Sequence, residues 1–408
     1  MDTYQFLFVF QFLFFTLFSL IIQIPAVQKK ISSKNNFKIV IFVIAALQII
    51  FMGLLKKEVG DIAGFSLIGR YFRQKLDYYP NDLNHLRYPF FPFLIPLYAV
   101  ADLLNEKMPL FTFSFYLKLF LLIPLYFLAY QIYALNKKGA HPRGAILSLC
   151  FLASPLTYSI ILFHGQIDVL VLGLFFLSVQ FLIRKRNALS AVIYGFCVAA
   201  KTWSIIFLPS IFFFQKKISR LFLFGTTAAT VLLAQVAAYE KWVYLPNLSS
   251  LVEAVGKPGG PTGIWGITYI LSLWPSIILW VTKNNFLFFV SLFLILQIAI
   301  IKKGPDFWQH CFLTILGVYI IIPNWGVQYL FWVLPFLYLL KDHLRPKETH
   351  LFFLLTIPYV FTTYINVAFS SEAIKAYLIN GLGFILWVFM VYWFLKLWKR
   401  PMEIKDVF

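Results

Sequence analysis

Charge is scarce in this sequence. Only 12% of its 408 residues are Asp, Glu, Lys or Arg and 61% are hydrophobic, whereas a soluble domain carries about a quarter charged residues. That shortage excludes an ordinary water-soluble surface. Apolar runs of about 17–25 residues recur along the chain, each long enough to cross a hydrocarbon core of about 30 Å. The runs do not alternate polar with apolar residues, which excludes a β-barrel. The chain reads as an all-α polytopic membrane protein.

Acidic residues are scarcer still, 16 against 35 basic ones, for a net charge of +19. The basic surplus forms no continuous nucleic-acid-binding face. It sits in short clusters between apolar runs: Lys29, Lys30 and Lys34; Lys137, Lys138 and Arg143; Arg184, Lys185 and Arg186; Lys216, Lys217 and Arg220; Lys302 and Lys303; and Lys396, Lys399 and Arg400. This is the positive-inside pattern, which places these segments in the cytoplasm and leaves no nucleic-acid partner to expect. The three cysteines, Cys150, Cys197 and Cys311, lie far apart within apolar runs and read as packed thiols. No two histidines have ligand spacing, and no Gly-rich loop of the P-loop or Rossmann type is present. Metal binding is therefore weakly supported, since the nearest carboxylate pair, Glu58 and Asp61, would bind a hard cation only with help, and nucleotide binding is not supported. No internal repeat of the transporter kind is visible.

Polar residues are concentrated where they do occur. The 56–92 segment holds Glu58, Asp61, Asp77 and Asp82, four of the 16 acids, together with Arg70, Arg73, His85 and Arg87. The run at 4–26 lacks a basic n-region and a small-residue cleavage site, so it reads as a first span and not a removed signal. A second span at 38–55 then delivers 56–92 to the outer face. Ile62, Phe65, Ile68, Gly69 and Phe72 recur at helical spacing, giving an interfacial amphipathic helix with Asp61 as its N-cap. Pro89, Pro92 and Pro96 interrupt the next apolar stretch, so 90–104 is either a half-span or a short crossing.

Further spans are expected at 110–135, 143–163 and 165–183, then two short ones at 188–202 and 203–215, and one at 221–239. A second outer loop covers 240–263. Pro275 marks 264–281 as a re-entrant hairpin, and 285–301, 307–322, 328–341, 350–367 and 378–397 complete the set.

Under this topology four polar features face the same outer side. They are Asp61 with its loop, the stretch His164-Gly165-Gln166-Ile167-Asp168 opening a span, Lys201 with Trp203 between two short helices, and Asn324 with Gln328 and Tyr329. On a helix beginning near Gly165, Asp168 sits about one turn inside. Ionisable groups at membrane depth are costly and face a cavity or a partner. Each feature also has a purely structural role open to it. Asp61 can cap its helix, His164 can sit wetted at the interface, Asp168 and Lys201 can pair, and Asn324 can turn the chain beside an anchoring Trp325. The argument for function is their coincidence on one side.

Taken in order, these segments resemble the C-type (GT-C) integral-membrane glycosyltransferases, in the branch of polyprenyl-phosphate-sugar-dependent enzymes and GPI mannosyltransferases. Asp61 in Val59-Gly60-Asp61 resembles the catalytic aspartate of the first outer loop. His85-Leu86-Arg87-Tyr88-Pro89-Phe90-Phe91-Pro92 resembles the Tyr-Pro-Pro-Leu stretch, with Phe90 where a second proline is usual. His164-Gly165-Gln166-Ile167-Asp168 resembles the Gly-Gln-x-Asp stretch, and Tyr194 to Lys201 the small-residue helix ending in Lys. Gln328-Tyr329-Leu330-Phe331-Trp332-Val333-Leu334-Pro335 resembles the later Gln-Tyr-Leu-x-Trp-x-x-Pro stretch.

The resemblance implies a GT-C-like bundle of about 11–13 transmembrane helices with a large first outer loop containing amphipathic helices. Residues 1–36 form an extra N-terminal span, 37–340 the catalytic core with the outer loop 56–92, and 341–408 the C-terminal spans and basic tail. It implies transfer of a hexose, mannose favoured, from a polyprenyl-phosphate donor to a glycan or glycolipid acceptor hydroxyl, with inversion. Asp61 would be the general base. Arg87, Lys201 and His164, then Arg70, would meet the leaving phosphate; Asp168 would orient Lys201 or hydrogen-bond a sugar hydroxyl, and Trp203 and Trp325 would stack on sugar or lipid. His85, Tyr88, Gln166, Asn324, Gln328 and Tyr329 complete the substrate-binding set. No cofactor is expected, and the missing Asp-x-Asp leaves a divalent cation unsupported. The expected setting is a prokaryotic plasma membrane, among its lipids, with the site outside. The competing reading is a transporter or flippase for a lipid-linked sugar, which needs polar residues along a through-path.

Overall fold

In hydrocarbon, each backbone N–H and C=O must find its partner within the protein, which leaves helices or a closed barrel. The computed structural model of the chain takes the helical solution, with no strand among the described residues. It describes residues 3–31, 33–55, 62–76, 92–136, 141–215, 218–243, 266–271, 273–323, 325–341, 343–368 and 374–399.

The helices in order are α1 (Thr3–Ile22), α2 (Pro25–Ile31), α3 (Lys34–Leu54), α4 (Ile62–Arg73), α5 (Ile95–Lys107), α6 (Phe113–Leu135), α7 (His141–Leu152), α8 (Asp168–Ile183) and α9 (Asn187–Ala200). They continue as α10 (Leu208–Gln215), α11 (Ile218–Val243), α12 (Gly266–Leu271), α13 (Pro275–Lys283), α14 (Asn285–Ile301), α15 (Phe307–Ile321), α16 (Leu330–Leu339), α17 (Pro346–Ala368) and α18 (Ile374–Lys399). Among the described residues, six helices are long and apolar enough to cross a membrane, seven if the bent pair α13 and α14 is one span, and five apolar helices are shorter. The protein is an all-α polytopic membrane protein. Two compact units form, Met1–Ile205 with Lys217–Lys257, and Ile206–Lys216 with Pro258–Phe408.

In the first unit, buried amides tie the early helices together. Gln11 of α1 receives a 2.5 Å hydrogen bond from the Tyr158 hydroxyl. Gln48 of α3 donates to the Leu152 carbonyl at 3.1 Å and accepts from the Tyr126 hydroxyl at 2.9 Å. Helix α4 is amphipathic as expected: it buries Ile62, Phe65, Ile68 and Gly69 and exposes Arg70. It lies so close to α5 that a methyl group on Gly69 would stand 2.5 Å from the Tyr98 carbonyl oxygen. Arg73 clasps the pair, donating to Asp102 at 2.6 Å and to Glu106. The 13 residues of α5 reach about 20 Å, short of the hydrocarbon core of about 30 Å. Of the two alternatives for 90–104, the described part, 92–104, favours a helix that does not cross.

Helices α8 and α9 form a rigid hairpin. Ser178 and Ser190 exchange hydroxyl-to-carbonyl bonds of 2.8 Å near the turn. Toward the other end the Cys197 thiol donates to the Val171 carbonyl at 3.2 Å. Gly195 lets α11 approach, since a methyl group there would meet Val231 Cβ at 2.8 Å.

In the second unit, Pro275 opens α13 at its first turn, where its missing N–H costs nothing. The six residues of α12 and nine of α13 span about 9 Å and 14 Å, too little to cross, and α13 meets α14 at 91°. Asp306 caps α15 by accepting from the Trp308 and Gln309 amides at 2.9 and 3.1 Å. Behind it, buried His310 meets the Ser210 hydroxyl of α10 at 2.7 Å, and Gln297 of α14 donates to Thr314 of α15 at 3.1 Å.

Candidate functional site

The polar centre of the first unit is built at two places where helices stop. After a π-helical segment, Tyr158–Phe163, the backbone turns through Gly165 at φ +74°. Residues with a Cβ seldom adopt that conformation. A positive φ cannot continue a right-handed helix, so α8 begins at Asp168 and not near Gly165 as the sequence suggested. Asp168 therefore sits in the first turn, where the helix dipole favours a carboxylate, and its side chain is fully buried. The second break is at Lys201. It ends α9 in an extended conformation, φ −162° and ψ 123°, before a 3-10 segment, Thr202–Phe207. Its side chain is thereby released from the helix surface and turned toward Asp168.

The Lys201 ammonium donates to Asp168 Oδ2 at 2.9 Å and reaches Gln166 Oε1 at 3.5 Å. Gln166 Nε2 lies 3.1 Å from Nε2 of His164. With its carbonyl facing the ammonium, the Gln166 amide turns its nitrogen toward the imidazole, where an Nε2 lone pair can accept from it. Lys201 and Gln166 are buried, and His164 is half-buried. Two charges withdrawn from water are tolerated only when paired and hydrogen-bonded, and this pair is both.

A residue that the sequence pattern did not single out joins them. Lys118 of α6 is buried, 1% exposed. A methyl group on Gly165 would lie 3.4 Å from its Cε and 2.8 Å from Cδ1 of Ile62. The signal was there, a lysine inside the apolar run of α6, and ionisable residues at that depth mark a site or a partner. Ile62, the residue directly after Asp61 in the chain, packs against the turn that precedes Asp168.

The other expected residues fall elsewhere. Asp61, His85, Arg87, Tyr88 and Asn324 lie outside the described residues. Arg70 is exposed on the last turn of α4, near enough to Glu106 to act on it electrostatically, while Arg73 makes the ion pairs with Asp102 and Glu106. Through that hydrogen bond Arg73 holds the Glu106 carboxyl below its usual range. Trp203 lies two residues after Lys201 and is half-buried. Gln328 and Tyr329 belong to the second unit, in a nest of aromatic rings. The Tyr329 ring centre is 4.4 Å from Trp332 and 5.7 Å from Trp325, its carbonyl accepts from the Tyr319 hydroxyl, and the Trp325 indole donates to Tyr359 at 2.9 Å. No group of three His, Cys, Asp or Glu side chains able to hold a metal occurs among the described residues.

An all-helical membrane fold that interrupts its helices to bury a cation, a carboxylate and an amide defines a class: multi-pass membrane proteins with a polar centre built into the bundle. Comparison with family profiles makes the class specific. Residues 88–321 match glycosyltransferase family 87, and the chain belongs to that family. The match includes His164, Gln166, Asp168, Lys201 and Lys118, while Asp61 and the Gln328-Tyr329 stretch fall outside it. No curated protein matches the chain. The protein is thus a membrane glycosyltransferase, and a sugar donor and an acceptor are its substrates.

Proposed function

We propose that this glycosyltransferase is of the GT-C type and moves a hexose, mannose favoured, from a polyprenyl-phosphate donor to an acceptor hydroxyl on a glycan or glycolipid. The reaction takes place at the outer face of a prokaryotic plasma membrane. The acceptor oxygen attacks the anomeric carbon, and its proton passes to the Asp61 carboxylate. The bond from that carbon to the phosphate oxygen breaks with inversion, and the lipid phosphate leaves with the electron pair. A leaving phosphate in a water-poor site needs fixed positive charge. Lys201 supplies it, held in place by Asp168, with Lys118 and Arg87 adding to it. His164 and Gln166 orient donor oxygens, Trp203 stacks on the sugar or its lipid, and Asn324, Gln328 and Tyr329 are assigned substrate contacts on the strength of their motif.

The observation that carries this reading is the buried Lys201–Asp168 pair with Lys118 beside Gly165, together with the packing of Ile62, the residue after Asp61 in sequence, against the same turn. The test is Asp61→Asn, assayed with a polyprenyl-phosphate-mannose donor in proteoliposomes. The variant is expected to remain monodisperse in detergent and to lose transfer. Transfer near the wild-type rate would remove Asp61 as the base.

A further inference from the structure

Well away from the polar centre, the first unit carries a groove of about 230 Å³ between α3, α6 and α7. Ile41, Tyr126, Tyr130, Tyr133 and Leu152 line it, and Lys38 stands at one end. Along α6, Lys118 and Tyr133 are 15 residues apart in sequence, which is about 22 Å of helix. The groove therefore belongs to the other end of the bundle.

Its walls are apolar by construction. The Tyr126 hydroxyl is committed to Gln48 at 2.9 Å, and the Ser148 hydroxyl to the Ala145 carbonyl at 2.8 Å. Phe37 stacks on Tyr133 at 5.7 Å, closing one side. Tyr130 is 59% exposed, so the groove opens sideways to the surroundings of the bundle.

The mouth has the opposite character. Lys38 is exposed on the second turn of α3, and exposed Arg143 lies near the start of α7. Lys29 and Lys30 close α2, which packs on both α3 and α7. Not one acidic residue occurs in α2, α3, α6 or α7. An apolar slot that opens sideways, with Lys38 at one end and no acid on the described helices that form it, suits a molecule with a negative head and a hydrocarbon tail.

We propose that this groove binds an anionic phospholipid of the cytoplasmic leaflet, its phosphate at Lys38 and an acyl chain along Ile41 and Leu152. The leaflet is set by the charge bias of the rim. The site is separate from the transferase centre, and the proposal does not depend on how that centre works.

The test uses the full-length protein in nanodiscs with two phospholipids that carry the same photoreactive acyl chain, one with a phosphoglycerol head and one with phosphocholine. After irradiation, labelled peptides are mapped by mass spectrometry. The anionic probe is expected to label Ile41, Tyr130 and Tyr133 about fivefold more than the zwitterionic probe, the factor one basic residue near a membrane surface supplies. Lys38→Gln should bring the two probes level. Ile41→Trp, which fills the slot and leaves the charge, should lower labelling by both. Equal labelling of the wild type by the two head groups, or labelling indifferent to Ile41→Trp, overturns the proposal.

Discussion

Lys201 with Asp168 in the first unit and Lys396 with Glu348 in the second are the same chemical pair in two settings. The first has side-chain exposures of 6% and 0%, the second 27% and 4%. Lys396 and Glu348 join two continuous helices, α18 and α17, and the other group on the ammonium is the Tyr392 hydroxyl at 2.9 Å. That pair sits at the rim, where a lysine can keep its head partly in water. Lys201 and Asp168 sit at helix ends inside the unit, with Gln166, His164 and Lys118 around them. A buried ion pair is therefore not by itself a site. What separates the two is the interruption of the backbone, which frees side chains to converge, and the additional polar groups that meet there.

The largest effect expected from breaking this comparison is in Lys201. Replacing it by Met should lower sugar transfer by about 10²-fold or more, the scale seen when an electrostatic stabiliser of the transition state is removed. It also strands Asp168, which should cost about 3–5 kcal/mol of stability. The double change Asp168→Asn with Lys201→Gln should recover much of that stability in thermal unfolding but none of the transfer. Lys396→Met should leave transfer unchanged. Equal losses in the two lysine variants would erase the distinction drawn between the pairs.

A smaller effect separates backbone strain from crowding. Gly165 and Gly304 both have positive φ, +74° and +61°. A methyl group on Gly304 meets nothing within 4 Å, whereas one on Gly165 meets Ile62 at 2.8 Å. Gly304→Ala should therefore cost only the left-handed penalty, about 1–2 kcal/mol. Gly165→Ala should cost more and also lower transfer, because it pushes on Ile62 beside the Asp61 loop. Similar stability losses with unaltered transfer would dissociate Gly165 from the site.

The smallest effect is a pH dependence in the clasp between α4 and α5. Arg73 lowers the Glu106 carboxyl below its ordinary value. A carboxylate with a lowered folded-state value contributes stability above its unfolded value and loses it as the pH falls through the folded one. Wild type should thus unfold at a higher temperature than Glu106→Gln near neutral pH, and the gap should close in acid. A gap that persists in acid would assign the clasp to packing alone.

The local half of this structure was legible from the residues. Long apolar runs specify helices because a helix satisfies its backbone bonds between near neighbours. The stop near Lys201, the amphipathic face of Ile62 to Phe72, and the helix start at Pro275 all arise from nearby sequence, whereas the start of α8 lies later than the sequence suggested. The sequence also sorted its rare charged residues into rim clusters and a few interior positions, which was enough to single out Asp168 and Lys201 as worth explaining. Tertiary packing decided the rest. That Asp168 meets Lys201 across 33 positions, that Lys118 comes to rest beside Gly165, and that Ile62 closes on the same glycine are contacts between helices. No local rule encodes them, because a polar side chain at membrane depth specifies only that it must find a partner. Which partner it finds depends on how the helices dock, and that is set by glycine contacts such as Gly195 and by the backbone turn at Gly165.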